Sequence, residues 1–263
     1  MNIFVCVKQV PDTESKVVPN SDGTYIETKS IKWIMNPYDE YAVEQALLIK
    51  AKESDTTVTL VRVGSIQGTT EALRTGMAMG ADESVLVESS DNLDSYAVSK
   101  AIKGAIEKSG KTPDIILCGK QAVDDDCCQV PQLLAQMMNM PSVTEVNNYE
   151  FSGNDLTVKR EIEGGSIEVY GVSTPAVISV TKGLNQPRYA SLPGIMKAKR
   201  KPLLKLSLDD VSVSDADRRI KYSNVSLPAE KPEGKKFDAT DEGNIESVVS
   251  EVAGLLRNEA KVI

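Results

Sequence analysis

Short apolar runs alternate with amphipathic stretches through the first half of the chain. The segments Asn2–Val7, Thr57–Val63, Ser84–Val87 and Ile115–Cys118 are of strand length and nearly continuous in β-branched and aliphatic residues. Continuous runs, rather than in-and-out alternation, are the pattern of parallel strands covered on both faces. Between the first two, Asp22-Gly23 predicts a hairpin turn. Asn36-Pro37 predicts a helix start, with Asn as N-cap, Pro at the first helical position and Asp39 and Glu40 in the first turn. Ala42, Val43, Ala46 and Leu47 then fall at helical spacing. Ala97, Val98, Ala101, Ile102, Ala105 and Ile106 repeat it after Asp94, a capping residue, and Gly110 is placed to end that helix. Shorter helices are predicted over 70–79, ending at Gly80, and over 130–138. Strands and helices in alternation, with short connections, predict the α/β class: a wound, mainly parallel sheet with flanking helices.

The second half changes style. Leu156–Ile162 and Ser166–Val172 flank Glu163-Gly164-Gly165 and predict an added β-hairpin, followed by an apolar strand over Ala176–Val180. The segment around Leu192 has no clear helix or strand period, so this leucine either tucks into the core or is presented to solvent. From Pro202 onward strand periodicity fades and charge rises, until Ile245, Val248, Val249, Val252, Leu255 and Leu256 mark one last amphipathic helix. The expected division is an α/β domain over 1–201 and a C-terminal extended arm over 202–263. The final helix of that arm either reaches for a partner or packs on its own domain.

Composition narrows the chemistry. The 263 residues are 41% hydrophobic and 26% charged, enough to close one sizeable core. No stretch approaches the ~18 apolar residues of a membrane span and the start has no basic region, so a soluble, unprocessed chain without membrane insertion is expected. The four cysteines, Cys6, Cys118, Cys127 and Cys128, have neither zinc-type spacing nor a disulfide framework. No metal is expected, and a reducing cytoplasm fits. The adjacent Cys127-Cys128 reads either as a redox pair or as two ordinary reduced thiols. The chain has no histidine, which disfavours serine and cysteine triads and histidine general bases, whereas electron transfer between bound cofactors needs no such group. A net charge of −8 argues against a general nucleic-acid binder.

In a wound sheet, ligands bind beyond the carboxyl ends of the strands, where helix starts offer free backbone N–H groups. Three such ends stand out: Cys6-Val7-Lys8, Val63-Gly64, and the long turn Gly119-Lys120-Gln121-Ala122-Val123-Asp124-Asp125-Asp126-Cys127-Cys128-Gln129-Val130. Gly119 would allow close backbone approach, and the next helix start would offer donors to a phosphate. Three adjacent aspartates oppose this unless they point away, cap the helix or share a cation. On these grounds alone the turn is either a nucleotide site or an ordinary acidic helix start. Farther along, Lys182, Arg188, Lys197, Lys199, Arg200, Lys201 and Lys205 form a run with no acidic residue between Glu168 and Asp209. It reads either as a solvated face or as a surface that steers an acidic partner.

Five segments in order resemble the β subunit of electron-transfer flavoproteins. They are Val5-Cys6-Val7-Lys8, Met35-Asn36-Pro37-Tyr38-Asp39, Gly119 to Cys127, Val158 to Gly165 leading to Pro175-Ala176-Val177-Ile178-Ser179, and Leu184-Asn185-Gln186-Pro187-Arg188-Tyr189-Ala190-Ser191-Leu192-Pro193. Together they span residues 1 to about 201. Beyond Pro202 the likeness is one of length and arm-like character.

The resemblance implies a heterodimer in which an α subunit holds the redox-active FAD and the β subunit holds a buried adenine nucleotide. By motif position, that nucleotide would contact Cys6, Asn36, Pro37, Tyr38, Asp39, Val63 and the turn from Gly119 to Val130. It also implies a partner-recognition loop over about 182–201, with Leu192 as anchor beside Tyr189, Pro193, Ile195 and Met196, and an arm that contacts the α subunit. Electrons would pass from flavin dehydrogenases, such as acyl-CoA dehydrogenases, to a quinone-linked oxidoreductase, and this chain would contribute no catalytic acid or base. The acidic run and the loop around Arg188 resemble the branch that holds AMP. The alternatives are a bifurcating branch, with a second FAD and NADH oxidation, and a stand-alone nucleotide-binding module. No G-x-G-x-x-G fingerprint follows any strand, so this chain alone is not expected to hold the redox-active flavin. Pro131, where relatives often carry glycine, removes one possible phosphate donor.

Overall fold

The computed structural model describes residues 1–263 except 65–69, 90–92, 153–154, 232 and 241, without the side chains of 152 and 242. A nine-stranded sheet organises them. Its centre is β1 (Asn2–Cys6), flanked by β4 (Thr57–Gly64) and β6 (Ile115–Gly119). Beyond β4 lie β5 (Glu83–Glu88) and β11 (Leu203–Ser207); beyond β6 lie β10 (Ala176–Val180), β7 (Ser142–Ser152), β8 (Asp155–Glu161) and β9 (Ile167–Ser173). Every pairing from β11 across to β7 is parallel, and β7, β8 and β9 close the sheet as an antiparallel meander. A separate antiparallel pair, β2 (Gln9–Pro11) and β3 (Trp33–Met35), carries the excursion that contains the Asp22-Gly23 turn. That turn forms as predicted: the Tyr25 carbonyl accepts from Asn20 N–H, and the Val18 carbonyl from Glu27 N–H, both at 2.8 Å.

The strand sequences are continuously apolar because both faces are covered. On one face Ile3, Val5, Leu60, Ile115, Leu117 and Ile178 pack with Ala42, Val43 and Ala46 of α1 (Pro37–Lys52) and with Leu73 and Met77 of α2 (Thr70–Met79). On the other, Phe4, Val61, Val85, Ile116 and Val177 meet Ala101, Ile102 and Ala105 of α3 (Ser95–Lys108) and Leu134 of α4 (Val130–Met138). Each fully buried large side chain, such as Phe4 or Leu60, contributes about 1.5–3 kcal/mol. The predicted Asp94 cap is present, its Oδ1 accepting from Ala97 N–H at 2.9 Å.

Connectivity creates a crevice. From β1 the chain crosses by α1 to β4 on one side, while β6 pairs with β1 on the other. The connections diverge at the carboxyl ends of β1 and β6, the place where wound sheets bind ligands.

Three elements depart from the sequence expectation. β7 is not signalled, because its run of Glu, Asn and Tyr lacks an apolar period, Glu145 has a positive φ of 60°, and its register shifts against both neighbours. β11 falls where strand periodicity was expected to fade; three leucines of its five residues extend the sheet beside β5. The segment around Leu192, without a visible period, contains a short helix, α5 (Leu192–Ala198), started by Ser191, whose Oγ accepts from Gly194 N–H at 3.1 Å. The chain divides into one compact unit over Met1–Val225 and a second over Ser226–Ile263. Residues 202–225 group with the first through β11 and the buried Val211 and Val213. The second unit contains α6 (Ile245–Leu255), and none of its described residues is buried.

Candidate functional site

A cavity of about 140 Å³ opens at the carboxyl ends of β1, β4 and β6, on the face covered by α3 and α4. Val61 and Val63, Leu93 ahead of α3, and Val98 and Ile102 within it supply apolar lining. The turn between β6 and α4 contributes Gly119, Lys120, Gln121, Ala122, Asp125, Cys127, Cys128, Gln129 and Val130; Cys6, Asn36 and Asp39 border the cavity as well. At the start of α4, the N–H groups of Gln129 and Val130 find no acceptor among the described residues. Pro131 also borders the cavity and has no N–H to offer. An apolar slot beside two open backbone donors suits a planar base with an attached phosphate.

Asn36 and Asp39 shape this site. Asn36 stands at the N-cap of α1, as predicted, but its side chain does not cap the helix. Asn36 Nδ2 instead donates to the Gln121 carbonyl (2.8 Å) and to Asp39 Oδ1 (2.9 Å), while Val123 N–H donates to Asn36 Oδ1 (3.2 Å). The buried Asp39 carboxylate accepts from Lys8 N–H (2.7 Å) and Gly119 N–H (3.2 Å), tying the ends of β1 and β6 to α1. Burial pushes the Asp39 carboxyl up to about 7, against the lowering by the Lys8, Asn36 and Gly119 donors. A Cβ at Gly119 would lie 2.3 Å from Asp39 Oδ1 and 2.7 Å from Tyr38 Cβ. The glycine is therefore demanded by the first turn of α1, and it borders the cavity as well.

Of the three ways in which the acidic run could be tolerated, a shared cation is present for two of its members, Asp124 and Asp125. Lys8 Nζ bonds Asp124 Oδ1 at 2.7 Å and Asp125 Oδ2 at 2.8 Å. Burial works against the Lys8 ammonium, yet the two aspartates outweigh it and hold its pKa above the ordinary value. Asp126 accepts from the Gln121 side chain. Asp126 and Cys128 have positive φ of 50° and 52°, a conformation that costs non-glycine residues and is kept where the surroundings fix it. A neighbouring cleft of about 600 Å³ is lined by Val123 and Asp124; Lys8 and Asp125 border both spaces. All four cysteines are free and border the cavity. A hydrogen bond with Cys6 and burial push the Cys118 thiol up, and burial raises Cys127 and Cys128, which keeps these three thiols from acting as ready nucleophiles.

The segment around Leu192 is built the other way round. Ala198 is buried, and a Cβ on Gly194 would fall 2.4 Å from the Ala78 carbonyl, so this face of α5 lies against the end of α2. The opposite face is bare: Tyr189 is 98% exposed, Leu192 74%, Met196 67% and Ile195 44%, with Pro193 exposed among them. Leu192 is thus presented to solvent and not tucked into the core. Three cations of the basic run are engaged: Arg188 is bound to Glu44, Lys201 Nζ donates to the Met77 and Ala81 carbonyls, and Lys205 pairs with Glu88. Lys182, Lys197, Lys199 and Arg200 are exposed without an acidic partner among the described residues.

A sequence model of the electron transfer flavoprotein domain matches residues 23–211. The chain is 38% identical over 268 residues to the electron transfer flavoprotein subunit beta of Bacillus subtilis, which covers all of both chains. It is 38% identical over 265 residues to the mitochondrial β subunit of Arabidopsis thaliana, and 40% over 268 to that of Oryza sativa subsp. japonica, again over all of both chains. The chain belongs to the electron transfer flavoprotein family. Membership on the β-subunit side brings a role in electron transfer, association with flavin and an α subunit as partner. Among the described residues, no helix is long and apolar enough to cross a membrane.

Within this family fold, the residues singled out from sequence fall into two sets. Cys6, Asn36, Asp39, Val63 and most of the turn from 119 to 130 border one cavity. Pro37, Tyr38, Val123, Asp124 and Asp126 do not border it: Tyr38 backs Gly119, Val123 and Asp124 face the cleft, and Asp126 braces Gln121. Sequence reasoning missed Lys8 as a site cation, although its place directly after the first strand was a usable signal. It also missed Leu93, Val98 and Ile102, whose helical spacing does not distinguish a ligand wall from a core.

Proposed function

We propose that this chain is the β subunit of a heterodimeric electron carrier that binds one AMP as a structural ligand. In this reading the α subunit holds the FAD, which supplies the redox chemistry. Electrons come from flavin dehydrogenases such as acyl-CoA dehydrogenases, which dock on Tyr189, Leu192, Pro193, Ile195 and Met196, and leave to a quinone-linked oxidoreductase. The second unit serves as the arm toward the α subunit, and the free cysteines suit a cytoplasmic setting. This chain contributes binding and docking surfaces and no acid–base group.

The observation that carries the AMP reading is the border between the two spaces. The cavity of about 140 Å³ is of a size for the adenine ring, against Val61, Val63, Val98 and Ile102, with the phosphate at the Gln129 and Val130 N–H groups on its border. A second FAD would have to continue past the Lys8–Asp125 pair into the cleft of about 600 Å³. The test is to purify the chain with its α subunit and extract the bound nucleotides. One FAD and one AMP per heterodimer are expected. Two FAD would favour the bifurcating alternative, and the lack of any flavin-bearing partner would favour the stand-alone module.

A further inference from the structure

Glu44 lies buried in the middle of α1, where a carboxylate is costly unless it is paired and hydrogen-bonded. Its partner is Arg188, which donates to the carboxylate through its backbone N–H (3.1 Å), Nε (2.8 Å) and Nη2 (2.8 Å). Burial works to raise the Glu44 acid, and these donors outweigh it and hold the group below its ordinary pKa. Beside this clamp, Asn185 Nδ2 donates to the Tyr41 carbonyl (3.0 Å) and to Gln45 Oε1 (3.3 Å). Past α5, Lys201 is fixed on the end of α2. The exposed apolar residues sit between these anchors. Tyr189 is the next residue after Arg188, and Leu192 opens α5.

A loop that presents a bare leucine without support would pay its ordering entropy at each docking event. We infer that Glu44 and Arg188 are a positioning pair for partner docking, a two-pronged clamp on α1 that preorganises the segment carrying Tyr189 and Leu192. The inference rests on the reading that this segment docks the flavin dehydrogenase. The pair acts through the placement of those side chains, and the Arg188 charge, spent on Glu44, does not steer the partner.

The test uses the heterodimer with a flavin dehydrogenase as electron donor. E44Q/R188Q removes the clamp without changing net charge, R188K keeps the charge but loses the fork, and L192A removes the anchor. For E44Q/R188Q, KM for the carrier should rise about five- to ten-fold while kcat stays within about two-fold, since docking geometry and not chemistry is disturbed. The dependence of kcat/KM on ionic strength should keep its slope, and R188K should raise KM by a smaller factor. L192A should slow transfer about ten-fold. An unchanged KM in both clamp variants, with L192A slow, overturns the positioning role and leaves docking intact. A flatter salt slope in E44Q/R188Q would mean that Arg188 meets the partner directly, which also overturns it. No effect of L192A would defeat the docking reading itself. If E44Q/R188Q does not fold, R188K decides by the same split of KM from kcat.

Discussion

The cavity and the docking segment use polar groups in opposite ways. Around the cavity, polar atoms are spent largely on one another: Asn36 on the turn, Asp39 on two strand ends, Lys8 on two aspartates. Among the described residues, what a ligand meets is an apolar slot with backbone donors at the start of α4. Under the docking segment, polar groups work from beneath, with Arg188, Asn185 and Lys201 holding the chain down while Tyr189, Leu192 and Met196 point outward. A ligand that stays in place needs a preformed enclosure. A partner that must leave quickly needs a small apolar anchor on a firm base, because one buried aliphatic side chain supplies only about 1.5–3 kcal/mol.

The largest effect should come from breaking the enclosure at its tightest point. Gly119→Val places new atoms where Asp39 and Tyr38 already lie, so the start of α1 has to move. We expect a loss of about 2–4 kcal/mol in stability and loss of the nucleotide together. Gly171→Val, with nothing within 4 Å of its new Cβ, is the matched control and should change little. Thermal melting and nucleotide extraction check both, and a Gly119→Val protein that melts normally with full nucleotide content would sink the account of α1 as the wall behind Gly119.

A smaller effect separates the two forces acting on Asp39. Its folded-state value of about 7 lies above the ordinary 3.8. Between about pH 4 and 7 the folded protein therefore holds a proton that the unfolded chain has released. Through this group, stability increases as pH falls through about 7 and decreases as pH rises. Asp39→Asn removes the titration and sets an NH2 group against the Lys8 or Gly119 N–H, costing about 1–3 kcal/mol. The stability gap between the natural protein and the variant should then narrow as pH rises from about 4 to 7. Denaturant melts at several pH values read this difference directly; a gap that widens with pH would mean that the three donors, not burial, govern the carboxylate.

The sequence made the enclosure more legible than its internal wiring. β1, β4, β5 and β6 announce themselves because burial on both faces removes polar residues from them, and the Asn36-Pro37 and Asp94 starts follow from local capping chemistry. The turn after β6 could be placed because a switch point in a wound sheet depends on strand order alone. The roles of Asn36 and Asp39 could not, since their partners at 119, 121 and 123 are 80 to 87 residues away. Glu44 and Arg188 are 144 residues apart, and nothing local to either announces the pair. β7 escaped because its register shifts scramble the period, and α5 because one short helix with two residues facing inward has too few turns to display one.

The smallest expected effect concerns charge around the docking segment. Of the seven cations in the basic run, Arg188, Lys201 and Lys205 already have partners, so long-range attraction would fall to Lys182, Lys197, Lys199 and Arg200. Exposed charges act over about 8 Å at physiological ionic strength and farther in dilute buffer, so their influence on a partner's approach is itself salt-dependent. Lys199→Gln/Arg200→Gln should lower the transfer rate from an acidic dehydrogenase about two- to three-fold at low salt. At high salt the variant and the natural protein should converge. Lys205→Gln, which removes a cation already engaged by Glu88 at 3.3 Å, should leave the rate at low salt close to that of the natural protein. Stopped-flow rates over a range of ionic strength distinguish the cases. If Lys205→Gln matters as much as the pair at 199 and 200, steering depends on total charge and not on which cations are free. If none of the rates responds to salt, the run is a solvated face, and Leu192 with its apolar neighbours has to account for docking unaided.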